Sequence, residues 1–415
     1  MQVGQMTSVF PEFAERSEPI SFTPTRADGL KRLDQFAART GRHYAQMRNY
    51  DFGAERRSNV SALSPWLRHR LITEAEVLQR VLARHSVKAS EKFLQEVFWR
   101  TYFKGWLEQH PSVWTQYQRD LVDLLEVLEN NSELQNQVST AVAGKTGIDC
   151  FDHWVRELLE TGYLHNHARM WFASIWIFTL RLPWQLGADF FLRHLLDGDP
   201  ASNTLSWRWV GGLHTKGKTY LARADNIAKY TEGRFHPRGL ATLAEPLTEE
   251  VEHPRVPLSL RAIQPSAPYL LLLTEEDLAG ADLMSSAPAA VIGLLATRGR
   301  TPNAIGHAAR EFALGAMNDA LDAFGQLAEP TEDWAATLIK SAQDAGVSTI
   351  ATAYAPVGPA RSRLDCAEPE LNSAGITLHR VVRPSDAIAW PHARAGFFGL
   401  KKKIPSILSQ MNLTR

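Results

Sequence analysis

The most constraining feature of this sequence is the stretch 161–209, where charged and amide side chains sit between apolar, aromatic-rich runs. It opens with His165, Asn166, His167, Arg169, Met170 and Trp171. It passes through an apolar helical pattern and closes with Asp197, Gly198, Asp199, Asn203, Trp207 and Trp209. Polar groups flanked by so much apolar sequence become buried, and a buried polar group needs a partner. Either these groups pair with one another or they face a bound polar molecule.

The length of 415 residues suits two domains or one large one. The formal net charge is zero, so no global field draws the chain to nucleic acid, and DNA binding must rest on a local basic face. Two cysteines, Cys150 and Cys366, cannot by themselves hold an iron–sulfur cluster or a structural zinc, and no metal is expected. Free thiols and the lack of a basic-then-apolar leader pattern predict a cytoplasmic protein. The most apolar segment, 171–182, is too short to span a bilayer and has Arg169 and Arg181 at its ends, so no membrane contact is expected. Ten of the twelve tryptophans precede Glu245, which says that the two parts of the chain do different things.

The order His165-Asn166, Arg169-Met170, a spacer containing Trp184, Asp197-Gly198-Asp199, Asn203, and Trp207 with Trp209 resembles the flavin-binding domain of the DNA photolyase/cryptochrome family. Each element alone is a weak signal; their common order at matching spacing is specific. The resemblance implies FAD as cofactor. It places Asn203 at flavin N5, Asp197 paired with Arg169 over the isoalloxazine, and Asp199 at the pyrimidine edge of the ring.

Residues 1–24 read as an extended arm, and 26–50 as a helix with Leu30, Leu33, Phe36, Ala37 and Tyr44 at helical spacing. Ser64 followed by Pro65 reads as an N-cap and a first-turn proline, a ready anion site. The family holds the flavin diphosphate on a Thr-Ser-x-Leu-Ser-Pro stretch; Ser61, Leu63, Ser64 and Pro65 match it, and Val60 replaces the threonine. Tyr44 or Tyr50 is a further candidate for the phosphates. Thr73 and Glu76 form a capping box. In the helix predicted over 91–106, Glu96, Trp99 and Arg100 share one face. In the family's cyclobutane pyrimidine dimer enzymes this face meets the substrate: the glutamate hydrogen-bonds the dimer and the tryptophan stacks on it. By the same resemblance Arg100 belongs with the flavin contacts, and Asn166, Met170 and Trp209 line the pocket for a flipped-out dimer. Thr101 stands where the family often has a second glutamate, and His167 where the dimer enzymes have arginine. The (6-4) enzymes have His-His where this chain has His165-Asn166. For flavin photoreduction, Trp207 and Trp184 match the proximal and middle tryptophans. The distal position is Ala141, which leaves Trp154 or Trp176 to complete the path. The turn Gly144-Lys145-Thr146-Gly147 lacks the spacing of a phosphate loop. The stretch 207–235 is basic and lies where the family has its DNA-facing loops.

After 245 the pattern changes. Residues 246–268, rich in Pro, Glu and Ser, read as a linker. Apolar runs at 269–273, 290–296, 347–354 and 376–382 read as strands, separated by helical patterns at 304–324, 333–344 and 359–373. Gly346 and Gly375 fall where C-cap glycines belong. No Gly-x-Gly-x-x-Gly follows the first strand, which argues against a dinucleotide site. The runs at Tyr269, Tyr354 and Phe397 resemble parts of the family's antenna domain, which elsewhere comes first, so the two domains are expected in exchanged order. The first strand lacks the arginines usual there, and the second, antenna chromophore stays unknown. The expected fold is multidomain: an all-α photolyase-type FAD-binding domain over 1–245, a linker over 246–268, and a smaller α/β domain with a mostly parallel sheet over 269–415. The implied function is light-driven electron transfer from reduced FAD to a pyrimidine dimer in damaged DNA. The alternative is a blue-light receptor without repair activity that signals through a protein partner.

Overall fold

The computed structural model describes residues 19–260, 263–265 and 268–414. The arm expected over 1–24 falls, up to residue 18, outside the described residues. Helices fill the first part of the chain: α1 (Arg26–Ala37), α2 (Arg42–Met47), α3 (Ser64–Arg68), α4 (Glu74–Leu82), α5 (Glu91–Gln109) and α6 (Ser112–Asn130). They continue as α7 (Ser132–Val142), α8 (Asp149–Thr161), α9 (Asn166–Ser174), α10 (Trp184–His194), α11 (Pro200–Val210) and α12 (Ala224–Tyr230). The second part runs β1 (Leu270–Thr274), β2 (Ala290–Leu294), α13 (His307–Asp322), α14 (Trp334–Asp344), β3 (Thr349–Ala353), α15 (Pro359–Ser373) and β4 (Thr377–Val381). It ends in α16 (Pro384–Ala389), α17 (Phe397–Lys401) and α18 (Ile404–Gln410).

Local chemistry sets many of these boundaries. Thr73 caps α4 with both halves of the capping box in place. Asp199 caps α11 by accepting from the Ser202 N–H, and Pro200 follows it. Gly162 ends α8 at φ +65°, a left-handed conformation that suits glycine. The single helix expected over 26–50 is two helices, because Gly41 takes ψ −131°, through which no helix continues. Leu63, not Ser64, stands at the cap of α3, without a side-chain cap bond. An Ile175–Thr179 π-helical turn extends α9.

The four strands pair in parallel in the order β2-β1-β3-β4, with Leu271 opposite Val291 and Ala351. β1 is buried throughout and is an unbroken leucine run, as a strand covered on both faces requires. Its leucines divide between two cores. Leu270 and Leu272 join Trp334, Leu338 and Leu364 on one face. Leu271 and Leu273 join Phe312, Phe397, Trp66, Leu33 and Phe36, so one core runs from the first helices into the sheet. A separate core inside the helical part holds Trp154, Trp171, Trp176 and Trp207.

Charge also crosses this seam. Glu275, Glu276 and Asp277 follow β1 directly. Glu276 pairs with Arg68 at 2.6 Å and Lys104 at 3.1 Å, and Asp277 with Arg70 at 3.1 Å. Arg70 also meets Glu74 at 3.2 Å and Asp386 at 2.7 Å. All of these groups are buried; Glu276, Asp277, Glu74 and Asp386 are each paired with a cation, whereas Glu275 accepts from the Ala296 N–H and the Thr297 hydroxyl.

Candidate functional site

Arg169 on α9 and Asp197 before α11 form a bidentate pair, with Nη1–Oδ1 at 3.0 Å and Nη2–Oδ2 at 2.8 Å. The Arg169 Nε donates to the Leu164 carbonyl, which fixes the fork. Tyr163 lies 5.3 Å below the Arg169 guanidinium and 4.6 Å from that of Arg57. Arg169 is half-buried: 23% of its side chain remains accessible beside the paired Asp197. Asn203, one turn into α11, donates from Nδ2 to the Ala188 carbonyl at 2.8 Å. That bond orients the amide and leaves Oδ1 as an acceptor.

Ser61 and Ser64 are half-buried, and Leu63 lies wholly in the core. Their loop is held by a residue that sequence reasoning passed over. Arg32 of α1 donates from Nε to the Ser61 carbonyl at 2.7 Å and from Nη2 to the Val60 carbonyl at 2.8 Å. Burial pushes the Arg32 guanidinium down to about 10. The available signal was the set of basic residues between the apolar positions of 26–50, Arg32 among them. Tyr44, one of the two tyrosines considered for the phosphates, instead packs edge-on against Phe36 and Phe93 in the core. Tyr50 stacks on Phe52.

The three residues on one face of α5 have three different neighbours. Glu96 forms an ion pair with Arg48 of the α2–α3 connection, while burial pushes its carboxyl upward and the Arg48 charge pulls it back. Trp99 lies flat on Phe397 of α17, with ring centroids 3.8 Å apart and planes 12° apart. Arg100 donates to Glu74 at 3.1 Å and stands 3.5 Å from Asp199. Asp199 is 1% exposed and is held by Lys104 at 2.8 Å; despite burial, these cations keep its carboxyl well below the usual range. Asp199 is therefore engaged by the seam cluster and by its own helix cap, apart from the Arg169–Asp197 pair. Arg48 and Lys104 are the residues that sequence reasoning missed here.

Asn166 is exposed at the start of α9, and Met170 is half-buried one turn on. His165 caps this helix by accepting the His167 N–H, and its Nε2 reaches the Arg48 carbonyl at 3.1 Å. Burial lowers its ring to about 4, so it is neutral at pH 7. His167 bridges the Asn49 carbonyl and the Tyr220 hydroxyl and stacks on Trp171 at 4.1 Å. Trp209 stacks on Tyr220 at 5.7 Å. Trp207 is buried, and meets Trp176 edge to face at 6.3 Å. Trp184 packs on Tyr117 at 5.6 Å, and Trp154 on Trp171 at 5.6 Å. In the basic stretch, Arg208 is engaged by Glu249 and Arg234 by Asp51, which leaves Lys216, Lys218 and Lys229 as its exposed lysines. Among the described residues no group of three His, Cys, Asp or Glu side chains can hold a metal, and no helix is long and apolar enough to cross a membrane.

A family profile described as the FAD binding domain of DNA photolyase matches residues 93–240. The deoxyribodipyrimidine photo-lyase of Vibrio cholerae is 30% identical over 239 residues, which cover 55% of this chain and 48% of that protein. The Escherichia coli protein of the same name is 30% identical over 204 residues, 46% of this chain and 40% of its own length. Among solved structures, a cryptochrome of Synechocystis covers 55% of this chain and 48% of its own at 23% identity, with a TM-score of 0.44. The chain spans about half the length, or less, of these relatives.

Proposed function

We propose that the chain, whose residues 93–240 match the FAD binding domain of DNA photolyase, is a photolyase-like flavoprotein that repairs pyrimidine dimers in DNA with light. Its relatives are named deoxyribodipyrimidine photo-lyase, which supports this reading over a redox flavoprotein that uses no light.

The observation that carries the reading is the Arg169–Asp197 fork, which joins α9 to the connection before α11 and leaves the guanidinium partly accessible. The donor set supports a flavin there. A bidentate Arg–Asp pair offers a flat, polar lid to a planar ring. Asn203 Oδ1, left as an acceptor, would suit a ring nitrogen that carries a proton. Ser61 and Ser64, on a loop braced by Arg32, suit a diphosphate. Arg100 and Asp199 would act from behind, through Glu74 and Lys104, as positioning residues. FAD, when bound, supplies the electron; the protein positions it and sets its electronics.

On the substrate side, Glu96 would hydrogen-bond the dimer and Trp99 stack on it, with Asn166, Met170 and Trp209 around them. An extruded base needs such stacking and hydrogen bonding to offset what it loses in the duplex. The upward push on the Glu96 carboxyl suits a group that shares a proton with a base carbonyl. The test is light-dependent repair of a dimer-containing oligonucleotide by the chemically reduced protein. Glu96→Ala should lower the rate with flavin content unchanged; no repair by the parent protein would refute the reading.

One observation favours the second reading, a photoreceptor without repair. Glu96 and Trp99 already have partners within the chain, Arg48 and Phe397. A receptor would bind flavin and respond to light, yet leave the dimer intact.

A further inference from the structure

Phe398 is 73% exposed on α17, although its neighbour Phe397 is buried against Trp99. A single exposed apolar side chain needs no explanation by itself. This one is set in basic sequence: 392–403 holds Arg394, Lys401, Lys402 and Lys403 and neither aspartate nor glutamate. Arg394, Lys402 and Lys403 are exposed, whereas Lys401 is half-buried and meets Glu91 at 3.3 Å. Burial, and after it the charges of Lys403 and Arg394, lower the His392 ring. The Trp99–Phe397 stack and the packing of α17 on α5 anchor this segment beside the helix that carries Glu96.

An aromatic ring in water among cations is the composition of a stacking platform for a single strand: the ring takes a base and the cations take phosphates. We propose that α17 and its flanks form a single-stranded nucleic-acid contact, with Phe398 as the stacking ring and Arg394, Lys402 and Lys403 as the phosphate contacts. The proposal rests on the repair reading only for its ligand class. The segment belongs to the α/β part of the chain, so the second part would contribute directly to DNA binding.

The test uses the full chain and fluorescence anisotropy with a labelled oligothymidylate, undamaged or carrying one dimer. Phe398→Ala should weaken both oligonucleotides about tenfold, and Phe398→Trp should restore binding. Lys402→Gln with Lys403→Gln should reduce the slope of log affinity against log salt by about 1.4. Unchanged affinity in Phe398→Ala overturns the proposal, even if the parent repairs dimers and the repair reading stands. Conversely, loss of binding to the undamaged strand supports it even where no repair occurs. Anionic phosphatidylserine vesicles are the control. Vesicle binding that Phe398→Ala abolishes, with oligonucleotide binding untouched, would assign the patch to a membrane surface and overturn the proposal.

Discussion

Trp207 and Trp176 meet at a right angle, ring centroids 6.3 Å apart, because Gly187 leaves room for both: a Cβ there would lie 2.4 Å from Trp207 and 2.9 Å from Trp176. Trp207 is thus in ring contact with Trp176, one of the two candidates for completing the electron path, as well as with Phe191 and Phe172. Trp184 lies on Tyr117.

In the presence of external reductant, Trp207→Phe should nearly abolish light-driven flavin reduction. Trp176→Phe should slow it more than Trp184→Phe or Trp154→Phe. Phenylalanine keeps the packing but is harder to oxidise, and the fold should lose only about 1–3 kcal/mol. Absorbance spectra under illumination read the order directly. Equal rates in Trp176→Phe and the parent would exclude the Trp176 route.

Arg169→Ala should empty the flavin site. It leaves the Asp197 carboxylate buried without its fork, so stability should also drop, by about 3 kcal/mol. Asp197→Asn keeps the shape and removes the charge; it should retain the fold and lose part of the flavin. Flavin absorbance per protein, read beside thermal melting, separates the two effects. Full flavin content in Arg169→Ala would move the cofactor elsewhere.

Arg70→Met should destabilise the whole chain by about 3–5 kcal/mol, because Glu74, Asp277 and Asp386 would stay buried without their common cation. The loss should appear as one cooperative transition, since the first helices and the sheet share a core. A separate early melt of the α/β part, seen in calorimetry, would show that the seam does not couple them.

Acid should unfold the protein early, partly through His214. The Tyr102 hydroxyl donates to the Ala395 carbonyl at 2.8 Å, so His214 Nε2 must donate to the Tyr102 oxygen at 2.9 Å. A second proton would go to the buried Nδ1, which has no hydrogen-bond partner among the described residues. Burial, with the Arg208 charge behind it, lowers the ring to about 4. Between this value and the unfolded value of about 6.5 the unfolded state holds more protons, so stability falls as pH falls through that window. His165 and His194, also lowered to about 4, act with the same sign; the raised carboxyls of Glu96 and Glu275 act against it. His214→Gln should flatten the loss between pH 7 and pH 4.5 by about 1–3 kcal/mol. Denaturant titrations at the two pH values measure this, and an unchanged difference would clear His214 of the role.

The sequence by itself determined what depends on near neighbours. The Thr73 capping box, the C-cap glycines Gly346 and Gly375, the leucine run of β1 and the helical phase of Asn203 and Trp207 follow from contacts a few residues apart. It also determined the Arg169–Asp197 pair, through the order of motifs carried by the family resemblance. What only the tertiary structure decided depends on groups far apart in the chain. Helical phase puts Glu96, Trp99 and Arg100 on one face, but Arg48, Phe397 and Asp199 reach them from 48, 298 and 99 residues away. The seam cluster that draws in Asp199 depends on Glu276, brought there by the sheet. Burial fixes which charges must pair, whereas the packing of α5 against α17 and β1 fixes with whom.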